Sequence, residues 1–283
     1  MTVTPPSPPV VGTGPRGGPT PTRRKAMPPV WRAYQYNLLA YKRTWRGSLT
    51  TTFLYPVLYL AAMGVGLGHL IAHGSSDRAV GGVPYLWFLA PGLLVGTAMQ
   101  IAANEATYPV MAGVKWLKTY WAMLATPLEV TDVLYGHLLW IVTRVALASG
   151  VFLAVMALFH TVPSAWATAA FPAAVLTGAA FAAPMMAFSA TRETDKSFVV
   201  LYRFAIVPLF LFSGTFFPVT QLPGWLQVVA RCTPLYQGVS LCRGLVLGRV
   251  PGWDACGHAG YLLVMLAGGV AVARITYRRR LVQ

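Results

Sequence analysis

The feature that most constrains this chain is a series of long segments without a single charged residue. Such segments separate Arg46 from Asp77, Arg78 from Glu105, Arg144 from Arg192, Arg203 from Arg231, and Asp254 from Arg274. They contain 30, 26, 47, 27 and 19 residues. Because about 20 apolar residues suffice for a helix to cross a bilayer, the sequence predicts an all-α polytopic membrane protein.

The charge-free segments predict six transmembrane helices. The segment of 47 residues is too long for one helix and is broken near Pro163, so it holds two. The predicted spans are 50–71, 84–104, 133–159, 165–190, 197–217 and 255–274.

The positive charge indicates how these spans are oriented. The net charge is +15, which could also point to a nucleic-acid partner, but nucleic-acid binders gather Lys and Arg into a solvated patch. With the N-terminus in the cytoplasm, the inner segments carry 16 Lys and Arg residues and the outer loops carry 4. Since inner loops are enriched in these residues, we expect a multi-pass membrane protein with both termini cytoplasmic and no nucleic-acid partner.

The N-terminal part divides into a tail and a predicted interface helix. Residues 1–29 are rich in Pro and are expected to be a disordered cytoplasmic tail, followed by a transmembrane domain over 30–281. An amphipathic helix with basic residues on its other faces is predicted to lie in the membrane interface. Its aromatic and apolar stripe recurs at spacings of three and four residues and consists of Trp31, Tyr34, Leu38, Tyr41 and Trp45.

Two connections between the spans are unusually apolar. The inner loop 105–132 is predicted to contain a short amphipathic helix at about 113–125, whose apolar face would need cover from lipid headgroups or a partner protein. The outer segment 218–254 holds two apolar stretches that are too short to span, at 225–230 and 239–247. Such pieces fit a re-entrant or interfacial hairpin before the last span, acting either as a closure of the outer end or as a structural lid.

Ionisable residues within spans are functional candidates, and Arg144 is the clearest one. It lies near the middle of its span, while the span cores contain no Asp or Glu and Glu105 marks an inner end. Arg144 could line a polar path or contact an anionic substrate, or it could bond backbone carbonyls at a dimer seam. The lack of a buried carboxylate disfavours proton- or sodium-coupled transport.

Enzyme chemistry finds no support in the sequence. It contains no His-Glu-x-x-His, no Gly-x-Ser-x-Gly and no paired Cys motif, so we predict no catalytic residues and no metal site. The phosphate-binding Gly-x-x-x-x-Gly-Lys-[Ser/Thr] loop is also missing, so we expect no cofactor on this chain. Cys232 and Cys242 would both face outside and could pair, but Cys256 makes the count odd and free thiols stay equally open.

Several strings resemble type-2 ABC exporter permeases, in particular the subgroup of nodulation-protein J permeases and daunorubicin-type drug-resistance permeases. The resemblance extends over roughly 30–281, with only the tail outside it. The strings are YPVLYL at 55–60, MGVGLG at 63–68, FLAPG at 88–92, WAMLATPLE at 121–129 and LFSGTFFPVTQLP at 211–223.

That resemblance implies a permease dimer, as a homodimer or a heterodimer, above two ABC ATPase subunits that bind ATP and Mg. The loop 105–132 would carry the coupling helix, and spans two and five would line the substrate path under the outer hairpin. The implied ATPase-coupling residues are Glu105, Lys115, Trp116, Tyr120, Trp121 and Glu129. The candidates for the substrate path are Thr97, Met99, Arg144, Phe212, Phe216 and Phe217.

Two functions therefore stand as hypotheses. The first is the permease subunit of an ATP-driven exporter that moves an amphipathic substrate, such as a drug, lipid or lipo-oligosaccharide, out of the cytoplasm or inner leaflet. The alternative is a passive channel or membrane scaffold that binds a cytoplasmic partner through the loop 105–132.

Overall fold

The described part of the chain consists of helices joined by short turns. The computed structural model describes residues 28–62, 83–249 and 252–282, and within these ranges there is no strand. The helices are α1 (Pro29–Ala61), α2 (Tyr85–Met111), α3 (Thr119–Leu124), α4 (Val130–Leu158), α5 (Ala170–Ala190), α6 (Lys196–Leu201), α7 (Val207–Phe212), α8 (Gly224–Arg231), α9 (Pro234–Leu247) and α10 (Gly252–Leu281). Short π-helical segments Ala112–Trp116 and Tyr202–Ile206 extend α2 and join α6 to α7, and the 3₁₀ segments Ala165–Ala169 and Val219–Gln221 precede α5 and α8.

Four helices in the described ranges are long and apolar enough to cross a membrane: Tyr85–Trp116, Val130–Leu158, Ala165–Ala190 and Gly252–Leu281. They correspond to the spans predicted at 84–104, 133–159, 165–190 and 255–274. The predicted span 197–217 is a helix over 196–212 built from three consecutive parts. The predicted span 50–71 lies only partly in the described residues, and the tail 1–27 lies outside them, so the count of six stays a prediction.

Helix α1 merges two elements that the sequence analysis treated separately. It runs unbroken from the aromatic stripe into the first half of the predicted first span. The stripe faces protein rather than headgroups alone, since the rings of Tyr34 and Tyr41 lie 6.2 and 5.3 Å from that of Trp140 on α4. Gly136 makes this crossing possible, because a Cβ there would lie 2.5 Å from the Cβ of Ala33.

The core lies where α5 packs between α2, α4 and α10. Helix α5 is rich in alanine and lets its neighbours approach closely, as small residues do between membrane helices. A Cβ on Gly178 would lie 2.6 Å from a methyl group of Val145 on α4, and one on Gly269 of α10 would lie 2.5 Å from the ring of Pro184. Larger residues at either glycine would force the helices apart.

The segment predicted as an outer hairpin contains the two short helices α8 and α9. Helix α9 is capped at its start by Thr233, whose hydroxyl accepts a hydrogen bond from the backbone N–H of Tyr236 (3.3 Å), and at its end by Gly248, with φ at +65°. Helix α9 packs against α2, α5 and α10. A Cβ on its Gly238 would lie 2.4 Å from the hydroxyl of Thr177. Its path relative to the membrane stays a prediction.

Candidate functional site

The candidate site is the connection between α2 and α4, which we call the connecting segment (residues 112–129). The predicted amphipathic helix at about 113–125 is found as two pieces, because the π-helical end of α2 reaches Trp116 and α3 begins only at Thr119. Between them Lys118 has a left-handed backbone, with φ at +53°. Glu105 was predicted at the start of this loop, but it lies inside α2.

Tyr120 anchors the connecting segment to the body of the protein. Its side chain is only 4% exposed, and its ring lies against Gly113, where an added Cβ would meet it at 2.6 Å. The ring centroid is 6.0 Å from that of Tyr277 on α10. Tyr120 was predicted to contact an ATPase, but in this structure its ring is buried within the chain itself. The helical spacing of apolar residues predicts a buried face without saying what buries it.

His137 holds the other side of this anchor, and the sequence analysis missed it. Its Nε2 lies 3.1 Å from the backbone carbonyl of Glu105, which can only accept, so Nε2 carries the proton. Its Nδ1 is then an acceptor for the hydroxyl of Tyr120 at 3.1 Å. The pair ties α3 to α4 and α2. A histidine on an apolar helix was the available signal.

Next to the anchor, the connecting segment exposes apolar side chains. Trp116 is 53% exposed and Leu117 is 71% exposed, and Trp121 is also exposed although its indole N–H donates to the carbonyl of Val114 at 3.0 Å. We call Trp116, Leu117 and Trp121 the apolar patch. Two of its residues were predicted to couple to an ATPase, and this exposure is what a docking surface requires.

Lys115, a further predicted coupling residue, is engaged within the chain. Its Nζ lies 3.0 Å from a carboxylate oxygen of Glu193, whose other oxygen is 2.5 Å from Arg280. These hydrogen bonds from Lys115 and Arg280 hold the pKa of the Glu193 carboxyl below its usual range. The three residues join the end of α2, the loop after α5, and α10, a connection between distant segments that spacing in sequence does not reveal.

Glu129 lies at the start of α4. Its backbone N–H donates to the carboxylate of Asp132 at 2.8 Å, and its own carboxylate accepts from the hydroxyl of Thr131 at 3.3 Å. The first of these hydrogen bonds satisfies one of the free N–H groups at the helix start. The residue predicted to meet an ATPase thus has a local role in beginning the helix.

Arg144 forms an ion pair that the sequence analysis did not foresee. Its Nε is 3.1 Å from a carboxylate oxygen of Glu105, and both side chains are largely buried. The other oxygen of Glu105 accepts from the indole of Trp140 at 3.3 Å, and the Arg144 guanidinium lies 4.5 Å from the ring centre of Tyr41. The two roles predicted for Arg144, lining a polar path or bonding carbonyls at a dimer seam, did not include this ion pair. Glu105, which was predicted to contact an ATPase, faces α4 in this structure.

The remaining candidates for the substrate path differ in how deeply they are buried. Met99 is completely buried in the core, so it does not line a path in this conformation. Thr97 is half-buried on α2, and Phe216 and Phe217 are half-buried after α7. Phe212 lines an apolar cavity of about 490 Å³ between α7 and α8.

A second arginine, Arg243 on α9, was assigned to the outer loops by sequence but is packed among helices. Its Nε and one terminal nitrogen donate to the carbonyls of Phe88 (3.0 Å) and Gly214 (2.8 Å). The guanidinium also lies 3.6 Å from the ring centre of Phe88. Arg243 therefore holds α9 to the start of α2 and to the turn after α7.

The structure shows no metal-binding or disulfide chemistry in the residues it describes. No group of three or more His, Cys, Asp or Glu side chains there could hold a metal ion. Cys232 and Cys256 are exposed free thiols, and Cys242 is a buried one. The pairing of Cys232 with Cys242 that the sequence left open is thus absent from this structure.

Comparison with known proteins identifies the family. The profile of the ABC-2 type transporter family matches residues 29–247. The chain is 34% identical to nodulation protein J of Rhizobium leguminosarum bv. trifolii over 257 residues, which are 90% of this chain and 93% of the relative. It is 33% identical to nodulation protein J of Neorhizobium galegae over 259 residues, with the same coverage of both chains. The chain therefore belongs to the ABC-2 type transporter family and is a membrane subunit of an ABC transporter.

Proposed function

We propose that this chain is the permease subunit of an ATP-driven exporter, in which two copies pair and bind two ABC ATPase subunits. The family and the apolar helices make it a multi-pass protein of a bacterial inner membrane. To this the proposal adds one permease unit over 30–281 with six spans, a cytoplasmic tail over 1–29, a cytoplasmic C-terminus, and a re-entrant outer hairpin at 218–254. ATP and Mg would be bound by the ATPase, since this sequence lacks the phosphate-binding loop.

The observation that carries the proposal is the apolar patch of Trp116, Leu117 and Trp121. Neighbouring exposed apolar side chains are unfavourable in water, and tryptophan is enriched among the residues that dominate binding in protein interfaces. The patch lies on a segment that Tyr120 fixes to α4 and α10, so a force on the patch reaches two membrane helices directly. A docking ATPase would both cover the patch and use this connection.

We expect the transported substrate to be amphipathic, as a drug, a lipid or a lipo-oligosaccharide is. The support is the apolar cavity beside Phe212, which lies between α7 and α8 and is lined almost entirely by carbon atoms. An apolar wall of this kind suits an acyl chain or an aromatic ring better than a sugar alone.

The test is to purify the chain with the ATPase encoded beside it. Replacing Trp116 and Leu117 by alanine should reduce the recovered ATPase and abolish its stimulation by the permease, because the centre of the interface is lost. Trp225→Ala on α8, which removes a tryptophan that is 71% exposed elsewhere, is the control and should leave assembly intact. Unchanged assembly of the double variant would contradict the docking surface, and transport without any ATPase would favour a passive channel.

A further inference from the structure

A cavity of about 530 Å³ lies at the end of the connecting segment, and no residue of the apolar patch lines it. It is formed where the loop before α4, the first turn of α4 and the last turns of α10 meet. Leu128, Val130 and Leu281 contribute an apolar wall, and Arg274 and Arg278 contribute two guanidinium groups. An apolar wall with two cations beside it is the combination that an amphipathic anion requires.

The two arginines are available to a ligand. They are one helical turn apart on the same face of α10, and both are exposed. Throughout the described part of the chain neither forms an ion pair with an acidic residue, whereas the neighbouring Arg280 forms an ion pair with Glu193. Two guanidinium groups in this arrangement can bind phosphate oxygens with paired N–H donors.

One acidic residue, Glu129, also lines the cavity. Its carboxylate accepts from the Thr131 hydroxyl, and its backbone N–H is bound by Asp132. These contacts hold Glu129 against the first turn of α4. Two arginines against one glutamate leave the lining with a net positive charge.

The position of the cavity along the helices indicates what the anion is. Helices α4 and α10 are both long and apolar enough to cross a membrane, and the cavity lies where α4 begins and α10 ends. Helix ends of this kind lie at the level of the lipid headgroups, where basic pockets between helices bind anionic headgroups. Long arginine side chains near a helix end also reach this level readily.

We propose that this cavity binds the headgroup of one anionic phospholipid, with Arg274 and Arg278 on its phosphate and Leu128, Val130 and Leu281 against its glycerol and upper acyl region. The inference rests on the membrane topology within the proposed function and is independent of ATP-driven export. A lipid in this place contacts both α10 and the loop that leads from the connecting segment to α4.

Native mass spectrometry of the purified full-length chain tests this proposal. The chain is titrated with phosphatidylglycerol and, separately, with phosphatidylcholine of the same acyl chains. We expect one phosphatidylglycerol to bind more tightly than any phosphatidylcholine. A charge-assisted hydrogen bond from each arginine to the phosphate should contribute about tenfold in affinity. The double variant Arg274→Ala and Arg278→Ala should therefore bind this lipid about 100-fold more weakly.

The sequence provides a matched control at the next position. Arg279 is exposed on the same turn of α10 but does not line the cavity, so Arg279→Ala removes the same charge as Arg278→Ala and should change binding by less than twofold. Equal losses in these two single variants would show a general attraction to the basic helix end and would overturn the site. Equal binding of the two lipids by the original chain would do the same.

Two further measurements separate the remaining outcomes. Displacement of phosphatidylglycerol by millimolar inorganic phosphate would overturn the lipid in favour of a small-anion site. Replacing Arg274 and Arg278 by lysine keeps the charge and removes the paired donors, so binding should be intermediate; this variant also guards against misfolding of the alanine variant. All of these measurements are made without the ATPase, so loss of lipid binding and failure of ATPase stimulation are observed separately.

Discussion

A guanidinium and a carboxylate on neighbouring membrane helices offset each other's cost of leaving water. Glu105 on α2 and Arg144 on α4 do this with a contact of 3.1 Å, and the indole of Trp140 satisfies the second carboxylate oxygen. A buried charge left without its partner is strongly destabilising, whereas loss of both partners costs less. Arg144 is therefore best understood as half of a structural pair.

The pair of Glu105 and Arg144 predicts how single substitutions change the stability of the protein. Glu105→Gln should lower the free energy of unfolding by about 1–3 kcal/mol, because the Arg144 guanidinium loses its carboxylate while most of it stays buried. Adding Arg144→Gln should cost less than the sum of the single changes. Thermal and denaturant unfolding of the four proteins in detergent form a double-mutant cycle, and strictly additive effects would show that the pair does not interact.

The sequence could reveal these residues but not their partnership. Glu105 and Arg144 each stand out as isolated charges beside long apolar segments, yet 39 positions separate them and their contact depends on how α2 and α4 cross. Arg243 illustrates the same limit, since its carbonyl partners on Phe88 and Gly214 belong to the backbone and leave no trace in residue type.

Among the elements, the glycines of α4 show how a single atom sets the distance between helices. Gly136 lies at the crossing with α1, where a Cβ would be 2.5 Å from Ala33, whereas Gly150 on the same helix would meet only Phe171 at 3.5 Å. The first position has no room for a methyl group, and the second accepts one in ordinary contact.

Gly136→Ala should therefore separate α1 from α4 and lower the free energy of unfolding by about 1–3 kcal/mol, as insertions into packed regions do. Gly150→Ala is the matched control and should be neutral or stabilising by up to about 1 kcal/mol, because alanine favours helix more than glycine. Unfolding in detergent measures the stability, and fluorescence of Trp140, which packs against α1, reports the separation. Equal effects of the two substitutions would contradict the close crossing.

The sequence indicated which membrane-crossing helices exist but located their ends poorly. Long segments with few charged residues indicated the four helices that are long and apolar enough to cross a membrane, because an unpaired charge within a span is costly. They did not show that α2 continues to Trp116 or that α1 is a single helix, because a helix keeps its hydrogen bonds after it leaves the apolar region. Tyr120 was assigned to a partner protein for a different reason: the spacing of apolar residues predicts a buried face but not what covers it, and here the chain itself does.

For the whole molecule, an exposed apolar face on one helix indicates where a second copy would bind. The helix over 196–212 exposes Val200, Phe204, Val207 and Leu211 at spacings of four, three and four residues, which places them on one face. Within one chain nothing described covers this face. The proposed homodimer would cover it with the same face of the second copy.

This arrangement predicts which residues of two copies can be cross-linked. In a chain whose three native cysteines are replaced, Phe204→Cys should form a disulfide-linked dimer in membranes under mild oxidation. Val264→Cys on α10 is the matched control, because Phe204 and Val264 are both 74% exposed, and it should stay monomeric on a denaturing gel. Cross-linking at 264 but not at 204 would assign the dimer to another face.

The unbroken course of α1 has a mechanical consequence. At about 1.5 Å per residue its 33 residues extend about 50 Å, well beyond the roughly 30 Å of hydrocarbon that a span crosses. An interface helix joined to its span by a flexible loop could keep its place on the membrane while the span tilted. A continuous helix couples its two ends instead, so in the proposed topology a tilt of residues 50–61 about the crossing at Gly136 would also move Trp31 at the other end.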